Sequence, residues 1–276
     1  MTRRFVELSL LALGLAAPAA AAGRSTVTEP VVDCAAFVVT GNPQSQLGAN
    51  WTYDSTDDGV RYVLEGVLLT PAAAGPFPAV VLSHGKNGTP RGYSANIART
   101  MVTWGMVAIA TMYTHAPDAQ DAGNEPQGPD GASEANVQRA HKARDLLSCL
   151  GTVDMARVAA HGHSMGAFVT GQLLGRHPAD FLAASHTAGG AGPGPNATRP
   201  EVAALIETPY ALHHSDTDMV VPLVLDRALA GILAASGTRH QLYSGPYHGL
   251  SHEQMAANPM MLLRVYRWYT RHGVLP

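Results

Sequence analysis

No stretch limits this chain more than Gly162-His163-Ser164-Met165-Gly166, which lies inside "RVAAHGHSMGAFVTGQLL", residues 157–174. A short apolar run with strand character precedes it, and a longer run with helical character follows. A strand that turns into a helix so abruptly has no room for side chains beside the turning residue. Glycine on both sides of Ser164 answers that steric demand. The turn exposes Ser164 ahead of the following helix, whose first N–H groups lack intrahelical acceptors and whose dipole is positive at that end. A serine held there is a candidate nucleophile, provided a base accepts its proton.

The surrounding pattern predicts the frame that would carry such a turn. Apolar runs at 60–71, 77–85, 106–113, 156–162, 181–190, 208–215 and 239–245 read as strands. Helical spacing falls at 93–105, 133–151, 164 to about 177, 222–237 and within 253–273, where Pro259 marks a late start or a kink. Buried strands alternating with helices predict an α/β fold, with a mostly parallel central sheet covered by helices on both faces. Right-handed crossovers then bring the C-terminal ends of the strands to one edge, where ligands of open α/β sheets bind. With 276 residues, 46% of them hydrophobic, the chain has material for one such domain, placed here over 59–276. A formal net charge of −3 gives no basic surface for nucleic acid.

Residues 23–58 are polar and turn-rich and are expected to lie over the surface. Residues 1–22 combine Arg3 and Arg4, an apolar run from Leu8, and small residues up to Ala22. That is the layout of a secretory signal peptide, too short in its apolar core to span a bilayer. The expectation is an exported protein, periplasmic or extracellular, with no stable membrane anchor once the leader is removed. Cys34 and Cys149 are then a possible disulfide.

The partners of Ser164 should follow it in the order acid, then histidine, each after a later strand. "HSDTDMVVP" offers Asp216 and Asp218 as the acid; Asp218 is preferred, with Asp216 kept open as the alternative acid or else as a cap or brace of the loop. "SGPYHGLSHEQM" offers His248 and His252; His248 comes first on the loop and is taken as the base, with His252 left to the start of the last helix. The oxyanion donors expected are the N–H of Met165 and that of Lys86, in the loop after the strand at 77–85. The strand-end residues Tyr113, His115, His186 and Thr187 are candidates for lining a substrate pocket. So is the long loop after Tyr113, with Asp118, Asp121, Glu125 and Asp130. Thirteen histidines raise the question of a metal, but neither His161–His163 nor His213–His214 has a third ligand at a recognised spacing. No metal and no cofactor are expected.

"GPFPAVVLSHGKNG", "GHSMG", "HSDTDMVVP" and "PYHG" stand in the order found in the α/β-hydrolase superfamily, and over residues 60–273 the chain resembles its dienelactone-hydrolase-like branch. "GHSMG" is also similar to cutinase-like polyester hydrolases, although Ala167 stands where those usually carry another glycine. Ser164 occupies the position at which dienelactone hydrolases carry cysteine. The resemblance implies a serine esterase acting through an acyl-enzyme on a small-molecule or polymeric ester, without cofactor. A peptidase or amidase of the same fold, or a non-catalytic binding protein on that scaffold, are the alternatives. No insertion large enough for a lid domain stands between 190 and 208, so an open cleft is expected.

Overall fold

The computed structural model describes residues 32–86, 88–116 and 131–276. The expected leader at 1–22 and the acidic residues of the 117–130 loop lie outside the described residues. Nine strands form one sheet in the order β1-β2-β3-β5-β4-β6-β7-β8-β9. The strands are β1 (Phe37–Thr40), β2 (Ala49–Asp57), β3 (Val60–Leu69), β4 (Phe77–Ser83), β5 (Val107–Thr111), β6 (Val153–His163), β7 (Ala183–Thr187), β8 (Tyr210–His213) and β9 (His240–Tyr243). From β5 to β9 every neighbouring pair is parallel, whereas β1, β2 and β3 extend the sheet in antiparallel fashion. This is the mostly parallel α/β-hydrolase arrangement expected, and the described residues form no large lid.

The apolar runs of the central strands are explained by burial on both faces. Along β4, Ala79 and Val81 pack with residues of α2 (Glu134–Leu146), α3 (Met165–Arg176) and α5 (Leu223–Ala235). Val80 and Leu82 point the other way, toward α1 (Ala95–Thr103) and α7 (Pro259–Arg271). Ser133 caps α2 by accepting from the N–H of Asn136, and Asn258 caps α7 in the same manner, so Pro259 starts that helix without kinking it.

The structure corrects the expectation for residues 23–58. Those from 37 to 57 are not a surface covering but the first two strands of the sheet. β2 alternates strictly over most of its length, with Ala49, Trp51 and Tyr53 inside and polar residues between them. An antiparallel strand wet on one face is only half apolar, which conceals it in a composition-based reading. Its end is fastened to α2: the Tyr53 hydroxyl donates to Asp57 at 2.7 Å, and Lys142 pairs with the same carboxylate at 2.8 Å. Cys34 and Cys149 are joined in a disulfide, with their Cα atoms 5.3 Å apart, and this ties the start of the described chain to the turn after α2.

Candidate active site

Ser164 sits between β6 and α3 with φ 56° and ψ −123°, one of only three non-glycine residues at positive φ among those described. Such a backbone costs about 1–3 kcal/mol and persists only where the surroundings enforce it. Here they do. The Ser164 N–H donates to the carbonyl of Thr187 at 2.9 Å, and the Ser164 carbonyl accepts from Ala167 at 2.9 Å. A Cβ on Gly162 would lie 2.2 Å from the Gly166 carbonyl oxygen, and one on Gly166 would lie 2.1 Å from that of Ser83. Both glycines are therefore demanded by contact with backbone, as the sequence pattern implied. Met165 is the first residue of α3, so its N–H has no acceptor within the helix.

The loop after β4 lies against this elbow. A Cβ on Gly85 would be 3.0 Å from the Cβ of Ser164. The Gly85 carbonyl accepts from Gly88 N–H at 3.0 Å and lies 2.9 Å from His84 Nδ1. His84 Nε2 accepts from the N–H of Tyr113 at 3.3 Å, which leaves the ring proton on Nδ1, donating to Gly85. Burial, then the neighbouring His115, pushes the His84 imidazole down to about 3, so it stays neutral and keeps this tautomer. With the Gly85 carbonyl held on one side, the trans peptide directs the Lys86 N–H to the other.

The two residues expected as acid and base, Asp218 and His248, do not pair with each other. The side chain of Asp218 is fully buried, its Oδ1 accepting from the N–H groups of Val220 at 2.8 Å and Val221 at 2.9 Å. Its Oδ2 accepts from Nδ1 of His252 at 2.7 Å, not from His248. The His252 ring is 9% exposed and lies 4.7 Å, centroid to centroid, from that of His163, the residue before Ser164. His163 is held by the Thr187 hydroxyl at 2.8 Å and stacks on Tyr93. Burial, and then His252 itself, holds His163 well below the ordinary histidine range, so it is neutral. His248, expected as the base, is 74% exposed and bonds Asp216 at 3.0 Å. The local chain explains the exchange. A 3₁₀ turn over Gly245–Tyr247 carries the backbone past the edge of β9 and leaves His248 outside. Ser251 then caps the short helix α6 (His252–Met255), in a capping box with Gln254, and this brings His252 inward. The signal was present in "LSHEQM", a serine followed three residues later by glutamine.

Behind Asp218 lies a second carboxylate that sequence reasoning missed. Asp226, on α5, is fully buried and bonds His186 Nε2 through Oδ1 and His214 Nδ1 through Oδ2, each at 2.7 Å. His214 Nε2 lies 2.8 Å from the Val221 carbonyl and 3.8 Å from Asp218 Oδ2. Both nitrogens of His214 thus face acceptors only, which requires the doubly protonated cation. Burial opposes that charge, but the bond to Asp226 outweighs it and raises His214 above the ordinary histidine value. Burial would raise Asp226, yet His186 and His214 override it and hold the carboxyl below the usual range.

The four residues expected to line a pocket are buried and occupied with internal partners. The Tyr113 hydroxyl bonds that of Ser83 at 2.7 Å, and His115 Nε2 lies 3.1 Å from the His84 carbonyl. His186 also bonds the Tyr210 hydroxyl, and Thr187 bonds His163. They brace the strand ends and the loop after β4, because the edge of the sheet is itself covered by the loops that leave it. Apolar surface near Ser164's turn comes from the loop after β8 instead, where Met219 is 93% and Val220 62% exposed.

The sequence matches the dienelactone hydrolase family over residues 64–267. No curated protein matches the chain. Among solved structures, it resembles a puromycin-hydrolyzing peptidase of Mycobacterium tuberculosis with a TM-score of 0.65 at 19% identity; the match covers 82% of this chain but only 40% of the peptidase. A cold-adapted esterase from an Arctic intertidal metagenomic library gives 0.64 at 18% identity, covering 83% of this chain and 94% of the esterase. An S-formylglutathione hydrolase of Agrobacterium tumefaciens gives 0.62 at 13%, covering 85% and 99%. At these identities the likeness is one of fold.

Proposed function

Since the chain belongs to the dienelactone hydrolase family, we propose that it is a serine hydrolase of carboxylic esters, with Ser164 as nucleophile, His252 as base and Asp218 as the acid that orients it. The observation that carries this reading is the buried Asp218–His252 pair set beside a strained serine elbow. The Ser164 hydroxyl attacks the ester carbonyl and gives its proton to Nε2 of His252. Asp218, bound to Nδ1, fixes the tautomer and stabilises the imidazolium. The N–H groups of Met165 and Lys86 receive the oxyanion, each such donor contributing about 3–4 kcal/mol to the lowering of the barrier. The imidazolium protonates the departing alcohol, and water deprotonated by His252 then releases the acid from Ser164. Met219 and Val220 offer an apolar rim for the organic part of the substrate.

The test is a panel of p-nitrophenyl esters of increasing acyl length, run beside matched anilides, with Ser164→Ala as control. Ester turnover lost in the variant supports the reading. Anilides cleaved as fast as esters would move it to a peptidase or amidase. A wild-type Ser164 left unlabelled by a fluorophosphonate probe would leave only a binding scaffold.

Export is part of the proposal. It is supported by the leader-like composition of residues 1–22 and by the Cys34–Cys149 bond, which belongs to an oxidising compartment. No helix of the described residues is long and apolar enough to cross a membrane. A protein recovered outside the cytoplasm with its N-terminus near residue 23 is the expected result; an intact Met1 in the cytoplasmic fraction contradicts it.

A further inference from the structure

At the edge of the sheet away from Ser164, three side chains distant in sequence converge. α2 and α3 run back along the strands they connect, so the C-terminal ends of both lie at that edge. His141 projects from the last turns of α2, His177 closes α3, and Asp180 stands in the turn ahead of β7. The rings of His141 and His177 stack with centroids 3.6 Å apart and planes 11° from parallel. His141 Nε2 lies 2.8 Å from Asp180 Oδ2, and His177 Nδ1 lies 3.8 Å from the same oxygen. One ligand atom from each of the three residues falls within 4.8 Å of the other two. All three side chains are partly exposed, between 20% and 31%, so an ion reaches them without opening the core.

The spacing suits a metal ion. With bonds of about 2.0 Å, the donor atoms of a tetrahedral site stand about 3.3 Å apart. The two separations to Asp180 bracket that value, and for the in-plane lone pairs of both imidazoles to meet one ion the stacked rings turn out of parallel about their side-chain torsions. Two imidazoles and one carboxylate form a donor set of borderline softness, which favours zinc, nickel or copper over magnesium or calcium. The negative ends of two helix dipoles add to the attraction. Asp145, 3.8 Å from His141 Nδ1, is a further carboxylate near the cluster. Arg144, 3.9 Å from Asp180, opposes a second cation, but Asp145 pairs with it at 3.1 Å.

We propose that His141, His177 and Asp180 bind one divalent ion of the zinc class and clamp α2 to the turn before β7. Ligands this far apart along the chain escape any reading based on local spacing, which is why no metal was expected. The site is separate from the hydrolytic one and stands whether or not the proposed reaction holds.

The experiment uses tag-free protein stripped with a chelator, then equilibrium dialysis against Zn²⁺ with metal content measured by mass spectrometry, and thermal unfolding with and without the ion. Wild type is expected to take up one Zn²⁺ per chain and to melt at a higher temperature in its presence. His177→Ala and Asp180→Asn should each weaken uptake by at least about tenfold and abolish the thermal shift. His240→Ala, at a histidine outside the cluster, should retain both. Asp180→Asn keeps the size of the side chain and decides the matter if His177→Ala does not fold. Failure to bind one ion per chain, or uptake unaffected by Asp180→Asn, overturns the proposal.

Discussion

Two histidine–aspartate pairs stand side by side in this molecule, built from the same two loops. Asp216 and Asp218 leave β8 together, and His248 and His252 leave β9 together. The outer pair bonds at 3.0 Å with the imidazole 74% exposed; the inner pair bonds at 2.7 Å with the carboxylate side chain fully buried. In water an ion pair of this kind is worth about 0–1 kcal/mol and is free to come apart. Inside, the remaining lone pairs of Asp218 are taken by two backbone N–H groups, and the imidazole is packed against the elbow. The same two residue types therefore give a solvated contact in one place and a buried, fixed imidazole in the other, and the surrounding backbone makes the difference.

Removing members of the inner pair tests this most severely. His252→Ala and Ser164→Ala should each lower kcat on a short-chain ester by about 10⁴–10⁶-fold, and Asp218→Asn by about 10⁴-fold, with the fold retained by circular dichroism. The comparison breaks if His252→Ala keeps most of the activity while His248→Ala loses it.

Much of the frame was legible because its strands are buried on both faces. An unbroken apolar run such as "AVVL" in β4 says strand, and Gly162 and Gly166 say sharp turn, for reasons that need no third dimension. β1 and β2 were not legible, since alternation with polar residues makes half a strand look like loop. Ser164 stands in the turn that its flanking glycines imply, and Asp218 lies on the loop after β8, but its partner is His252 rather than the expected His248. Seeing that His252 rather than His248 points inward required knowing that a 3₁₀ turn precedes His248 and that a serine cap stands between the two histidines. The Asp226 network was beyond reach, because nothing along α5 marks one aspartate among apolar residues as the meeting point of two histidines.

Acid should act on the whole fold as well as on the inner pair, and the two effects separate. Burial, with His186 as the next cause, depresses His161 to about 3; burial first of all likewise depresses His84 to about 3, and His163 and His213 well below the usual range. Each is neutral when folded and takes up a proton when unfolded, below about pH 6.5. Their contribution is thus complete above pH 6.5 and is lost as pH falls toward the folded values. His214 has the opposite sign: its folded value is raised, so its contribution is present below pH 6.5 and fades as pH rises through that value. The expected result of urea titrations is a steep fall in stability between pH 6.5 and 4.5. A midpoint that stays level over that range would contradict neutral burial of these four histidines. Activity lost at a pH where the urea midpoint is still high would belong to the inner pair alone.

His214 gives a subtler handle on the inner pair. Its cation stands 3.8 Å from Asp218 and draws on the same carboxylate as His252. His214→Gln removes that positive charge, so Asp218 acts on His252 undiluted and favours the imidazolium. The acid limb of the kcat/KM profile should move to higher pH, with about a tenfold loss at neutral pH. A tenfold loss with an unmoved limb would mean that His214 only supports packing.

The smallest effect is expected at the outer pair, and it carries the comparison's other half. His248→Ala and Asp216→Asn remove a bond between groups that water already solvates, so stability should change by no more than about 1 kcal/mol. Neither side chain accepts a backbone N–H that helps hold Asp218, whose cap comes from Val220 and Val221. Turnover of a small ester should accordingly stay within about threefold of wild type. A bulky or polymeric substrate is a sharper probe, since His248 is exposed on the loop that leads into α6. If KM for such a substrate rises in His248→Ala while kcat holds, the outer pair is a contact surface. If kcat itself falls for small esters, the exposed pair shares in the chemistry, and burial has ceased to explain which histidine works.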